Sequence, residues 1–241
     1  MKKTVITFLA ACLLFSATGC ASSGKVLLSV REPIALASVV SNLDINWKDE
    51  DSTSPNSGGF LVKRVLQADP DMTLTTSADE LINTAERIIR EKLSGPAQIT
   101  LAEKDTVLFS QAYRNAGINN IQVYRKDTKP EAYKFVNNRD KGFPPALVAE
   151  TGIQRSMFVE FNFTKDMAKG LGKSGSLRAD VEMKVLILDA RGKTLYRKTF
   201  SVTSISTINV SYGAYSSTGI IELFEPTIAD ACDVFLSQLG N

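Results

Sequence analysis

Residues 178–204 read RADVEMKVLILDARGKTLYRKTFSVTS, and the fold follows from how this stretch is read. Ala179, Val181, Met183, Val185 and Ile187 alternate with polar residues, the period of a strand that buries one face. Arg191-Gly192 supplies a turn, and TLYRKTFSVTS returns as the second arm of a hairpin. Immediately upstream, MFVEFNF at 157–163 has the apolar content of a further strand, joined to the hairpin through KGLGKSGS at 169–176. GLGKSG tempts a phosphate-cradle reading. It lacks the full Walker spacing, and a strand follows it where a helix N-terminus would be needed, so a hairpin or edge loop is expected.

Working outward, Ser77 and Glu80 have the spacing of a capping box. Behind them Leu81, Ile82, Ala85, Ile88, Ile89 and Leu93 mark one face of a helix that Gly95-Pro96 ends. IALASVVSNLDI at 34–45 is nearly continuous in apolar character up to Ser41, which suggests a central strand covered on both faces; VLLSV at 26–30 and Ala97–Leu101 also read as strands. Short helices are expected around Val107–Asn115 and Ala146–Thr151, the second closed at Gly152. Between them, 115–145 is rich in Asn, Lys, Asp and Gly with scattered aromatics and reads as a long surface excursion with a little local structure, of the kind that is usually functional or mobile. Ser204–Ser217 has β-like alternation, and Ile220–Leu239 is a terminal amphipathic helix with a break or restart at Pro226. The order is strand, helix, strand, short helix, strand, long hairpin, terminal helix. It implies an α/β fold of the α+β kind: a single domain, with a mixed β-sheet, helices mainly on one face and a long C-terminal hairpin before the last helix.

The amino terminus, MKKTVITFLAACLLFSATGCASSGK, carries two lysines, an apolar run from Val5 to Phe15 and small residues up to Cys20. This is the layout of a secretory signal, and the apolar run is about half of the ~20 residues that a spanning helix needs. Ala17-Thr18-Gly19-Cys20 resembles the lipobox of bacterial lipoproteins, with Ala17 standing where Leu is preferred. That resemblance implies cleavage before Cys20, acylation of Cys20 with palmitate-class chains, and, because Ala21 and not Asp follows, transfer to the outer membrane. Two or three acyl chains anchor stably, at about 0.8 kcal/mol per buried methylene. The expected organisation is a signal at 1–19, a lipidated tether at 20–24 reaching ~15 Å, and a periplasmic or surface domain at 25–241.

Composition narrows the function. Lys and Arg number 28 and fall to 26 when Lys2 and Lys3 leave with the signal, against 26 acids, so the mature chain is near neutral and lacks the footprint of a nucleic-acid binder. There is no histidine. Ser-His-Asp and Cys-His catalysis and histidine-ligated zinc or haem are thereby removed, and no cofactor or metal is expected. Asp49, Glu50 and Asp51 lack EF-hand spacing and read as a solvated loop running to Gly59. Cys232 is left as a reactive thiol, an intermolecular bridge or a core residue. Its helical face, shared with Ile228, Phe235, Leu236 and Leu239, favours the core.

The strand at 34–45, the capped helix, GIQRSMFVEFNF, the D-x-x-G-K turn at Asp189–Lys193 and the terminal helix together resemble the periplasmic lipoprotein domains typified by the curli-secretion lipoprotein, the TolB N-terminal domain and the penicillin-binding-protein activator LpoB. Members of that group bind and assemble; they are not enzymes. Two departures stand out: the four-residue tether Ala21–Gly24 is far shorter than the linker of the activators, and alternation at 203–221 is too weak for a membrane hairpin. The expected role is therefore a non-catalytic, outer-membrane-anchored binding or assembly component of an envelope complex. The alternative is a carrier or receptor for an apolar small molecule or lipid. Tyr124, Tyr212 and Tyr215 are the candidate contacts, since exposed aromatics are favoured at interfaces; core packing is the competing role for Tyr212 and Tyr215. An enzyme built on carboxylates such as Glu160 and Asp166 is the third possibility.

Overall fold

The alternating stretch lies at the centre of an eight-stranded sheet. The computed structural model describes residues 32–48, 60–94, 99–171 and 173–239, so the signal, Cys20, the strand expected at 26–30 and the whole 49–59 loop lie outside the described residues. The strands are β1 (Ile34–Ser41), β2 (Asn46–Trp47), β3 (Met72–Thr73), β4 (Arg155–Leu171), β5 (Ser174–Asp189), β6 (Thr194–Thr203), β7 (Ile208–Ser211) and β8 (Ala214–Ser216). The helices are α1 (Phe60–Ala68), α2 (Asp79–Leu93), α3 (Lys104–Leu108), α4 (Gln111–Asn115), α5 (Asn120–Tyr124), α6 (Phe143–Thr151) and α7 (Ser217–Leu239).

Strand order is β1-β4-β5-β7-β8-β3, with β2 beside β4 and β6 beside β5. β1 runs parallel to β4, and β4, β5 and β6 are antiparallel. This is a mixed, curled sheet in an α+β fold. β6 and β7 run in the same direction along one edge of β5, separated by residues 204–207. The β5–β6 turn forms as expected: the Asp189 carboxylate accepts the N–H groups of Arg191 and Lys193 at 2.9 and 2.8 Å, and Gly192 takes φ 77°. The 169–176 stretch is also a hairpin. Gly170 and Gly175 face each other across it, and a Cβ on either would lie 2.1 Å from the opposing backbone oxygen, so only glycine fits.

Odd-numbered residues of β4 and β5 form the core face. Met157, Val159, Phe161, Phe163, Val181 and Val185 are all buried there. The terminal helix α7 lies on this face, with Phe224 edge-on to Phe163 at 5.4 Å and Phe235 5.7 Å from both Tyr196 and Phe200. Each ring pair adds about 0.5–1.5 kcal/mol to the burial itself. Beside it runs α2, tied by Arg87–Glu225 and Lys92–Asp233 ion pairs at 2.5 and 2.6 Å. Cys232 is buried in this layer, and burial pushes its thiol up to about 12, which keeps it protonated.

Several expectations are corrected. No reciprocal capping box forms: the Ser77 hydroxyl accepts from Asp79 N–H and donates to its carboxylate at 2.8 Å, and Ser77 precedes the helix by two residues. α7 starts earlier than Ile220 and runs unbroken through Pro226. Pro226 and Glu222, whose carbonyl loses its N–H partner, are both exposed, so water can satisfy that carbonyl. β1 is buried on both faces but ends the strand order, flanked on its outer side by single bridges to Leu101 and Thr128. The strand expected at 97–101 reduces, in its described part, to the Leu101 bridge.

Candidate functional site

The other face of the β4–β5 hairpin carries the even-numbered residues. Ser156, Phe158, Leu186 and Leu188 are buried near its β1 end, whereas Asn162, Glu182 and Lys184 are exposed further along. What covers the first group is the 115–145 excursion with α3, α4 and α6. Its anchor is Phe143 on α6, edge-on to Phe158 at 6.3 Å and to Tyr113 at 6.4 Å.

The excursion carries more built structure than the little its composition suggests. The short helices are capped: Ser110 accepts from Tyr113 N–H at 3.1 Å, Asn119 from Ile121 N–H at 3.2 Å, and Glu150 from the N–H groups of Gln111 and Ala112 at 2.7 and 2.8 Å. Those backbone hydrogen bonds hold the Glu150 carboxyl below its ordinary range. Lys134 Nζ donates to the Arg114 and Ala116 carbonyls, at 2.7 and 3.1 Å, closing the C-terminal end of α4. Thr128 exchanges backbone hydrogen bonds with Ser41 of β1.

A buried polar network ties the excursion to α2. Tyr133, 2% exposed, donates its hydroxyl to Glu86 at 3.0 Å and accepts from Arg90 at 2.8 Å; Arg90 also donates to Glu86 at 2.5 Å, and the Lys104 ammonium lies 3.3 Å from the same carboxylate. Burial alone would push the Glu86 carboxyl up, but the hydrogen bonds from Arg90 and Tyr133 and the Lys104 charge outweigh it and hold it below its ordinary value.

Two surfaces follow from this scaffold. The first is apolar. α5 turns Gln122 inward and leaves Ile121 and Tyr124 outside, with Ile118 one turn earlier; Val123 and Phe109 are exposed as well, and Tyr124 is 90% exposed. Residues 109–126 include Arg114, Arg125 and Lys126, and Arg125 is paired with Asp127 at 2.5 Å and Glu160 at 2.9 Å. The second is a cavity of about 140 Å³ between the excursion and the sheet. Its floor is two rows set by the strand register: Ser38, Phe158, Leu186 and Arg197 in one, and Val40, Glu160 and Lys184 in the next. Gln122, Val136, Asn138 and Arg139 form the roof.

The three candidate tyrosines do not converge. Tyr215, 0% exposed, is a core residue and is withdrawn as a surface contact: its hydroxyl meets Lys165 Nζ at 3.0 Å and Thr76 at 3.1 Å, and burial pushes its own ionisation up. Tyr212 is half-exposed at the β7–β8 turn, with φ 51°, its N–H donating to Ser174 at the far tip of the β4–β5 hairpin. Tyr124 neighbours Arg125, which pairs with Glu160 at 2.9 Å, so roughly 35 Å of strand separates the two exposed tyrosines. Glu160 and Asp166 are not brought together either. They lie on one strand roughly 20 Å apart, Glu160 on Arg125 and Asp166 on Arg178 at 2.8 Å. Among the described residues no helix is long and apolar enough to cross a membrane, and no three His, Cys, Asp or Glu side chains converge to hold a metal.

No family model and no curated protein matches the chain. Among solved structures it is similar to a hypothetical protein from Chlamydia trachomatis, at 8% identity and a TM-score of 0.37, over 88% of this chain and 100% of that one.

Proposed function

We propose that this protein is a lipoprotein held in the outer membrane by acylated Cys20, that it binds another envelope protein through the exposed face of the 109–124 segment, and that it carries out no reaction of its own. The observation that carries this reading is the exposure of five large apolar side chains on a segment of capped helices. Phe109, Ile118, Ile121, Val123 and Tyr124 stand in solvent on a segment that capped helices and the Glu86–Arg90–Tyr133 network hold in place. Clustered exposed apolar side chains on an ordered support mark interaction surfaces, and aromatics dominate such contacts. The cavity beside it is lined by charged side chains and does not suit an apolar cargo.

Extraction of the native lipoprotein in mild detergent, with mass measured by light scattering and composition by mass spectrometry, tests this. The expected result is a defined complex that Ile121→Asp dissolves while leaving the fold intact. A lone monomer in the wild type, or a complex indifferent to Ile121→Asp, contradicts the reading.

A further inference from the structure

The cavity between the excursion and the sheet has two unmet chemical demands. Gln122 is 7% exposed, yet its Oε1 is buried with no hydrogen-bond donor in reach. An acceptor left so costs about 1–3 kcal/mol, and buried side-chain polar groups are otherwise nearly always partnered. The second demand is charge. Arg139, Lys184 and Arg197 line the same space, with Glu160 the carboxylate among them, and Glu160 is already engaged by Arg125 at 2.9 Å and lies 3.8 Å from Lys184. Neither Arg139 nor Arg197 forms an ion pair among the described residues. The cavity therefore offers cations to an anion and an acceptor to an N–H.

One common chemical unit carries both groups: an α-carboxylate with its neighbouring nitrogen. Size agrees. A cavity of about 150 Å³ admits a six-carbon ring, and the 140 Å³ here holds one small residue. The apolar part of the lining, Val40, Val136, Phe158 and Leu186, suits a short aliphatic side chain.

We propose that this cavity binds an α-carboxylate with an adjacent N–H, as found in a free small amino acid or at the carboxyl terminus of a peptide. The carboxylate sits against Arg139, Lys184 and Arg197, and the N–H donates to Gln122 Oε1. Guanidinium groups match a carboxylate with paired hydrogen bonds, which gives the arginines the main part in affinity. The site is independent of protein docking on the outer face of α5, and either can fail without the other.

The test is titration of the full-length chain, followed by calorimetry and by NMR of the Gln122 side-chain amide, with N-acetylalanine, alanylalanine, free alanine, propionate and alaninamide. Binding of the carboxylates with none by alaninamide is expected. Preference for N-acetylalanine and alanylalanine assigns the site to a peptide terminus, and preference for alanine assigns it to the free amino acid; both support the proposal. Arg197→Gln, on an exposed position of β6, should weaken every carboxylate about tenfold, the equivalent of about 1.4 kcal/mol. Gln122→Met, which keeps the shape and removes the acceptor, should weaken N-acetylalanine and leave propionate unchanged. The proposal is overturned by the absence of binding, by alaninamide binding as well as alanine, or by Gln122→Met weakening propionate and N-acetylalanine alike.

Discussion

The two faces of the β4–β5 hairpin are made by the same residues in alternation, and they are stabilised differently. On the odd face, α7 and α2 cover the strands along their length, with Phe161 stacked on Phe163 and Phe224 edge-on to Phe163. On the even face the cover is partial. Phe158 and Leu186 are buried where the excursion sits, and the same face turns to Glu160, Lys184 and Glu182 where it stops. The odd face makes the fold, and the even face is where a small cavity and an exposed apolar helix have room to exist. The contacts proposed above lie on the less completely buried side, as local stability arguments lead one to expect.

The sharpest test of this contrast pairs two aromatics. Phe163→Ala removes a ring buried between Phe161 and Phe224 and should cost about 3–5 kcal/mol in urea unfolding. Phe158→Ala, whose partner Phe143 belongs to the excursion, should cost less globally and should speed hydrogen exchange in 115–150 selectively. Equal losses from both would erase the distinction between the faces. Next in size is Tyr133→Phe. It deprives buried Glu86 of a donor and unpins the excursion from α2, with an expected loss of about 1–3 kcal/mol.

Acid probes the same network. The folded-state value of Glu86 lies below its ordinary 4.5, so its stabilisation is complete above that value and is lost as pH falls through the lower, folded one. Stability measured between neutrality and strong acid should therefore fall on the acid side, with Glu86→Gln showing a shallower fall. The smallest effect belongs to the odd face: Gly219→Ala. A Cβ there would lie 2.9 Å from Ser216 Oγ, which caps α7 by accepting Gly219 N–H at 2.7 Å. Losing that cap should cost about 1 kcal/mol, although alanine in an ordinary helix position would gain a similar amount.

Legibility from sequence followed the same division. α2, α7 and the Asp189–Lys193 turn were readable because their signals are local: a 3.6-residue apolar period, and an Asp with a Gly three residues on. β4 was expected to end at Phe163 and runs to Leu171. Its inward position 165 is a lysine, buried against the Trp47 and Tyr215 rings at 5.4 and 4.8 Å, and a buried cation interrupts the apolar alternation that marks a strand. The excursion's order was hidden for another reason. Tyr133 and Thr128 are held by Glu86, Arg90 and Ser41, far away in the chain, so no local period announces them. The cavity depends on the register that sets Phe158 beside Leu186 and Leu186 beside Arg197, which the sequence does not contain in readable form. The apolar face had a visible trace: Ile118, Ile121 and Tyr124 recur every three residues in a segment free of acids.

The central claim is that the α5 side of the molecule is the contact surface and the bare part of the even face is not. Photo-crosslinking amino acids placed at Tyr124 and, separately, at exposed Glu182 would measure this in intact cells. A discrete protein adduct from position 124, abolished by Ile121→Asp and missing from position 182, is the expected result. Adducts of equal yield from both positions, or none from 124 while 182 reacts, would contradict the account.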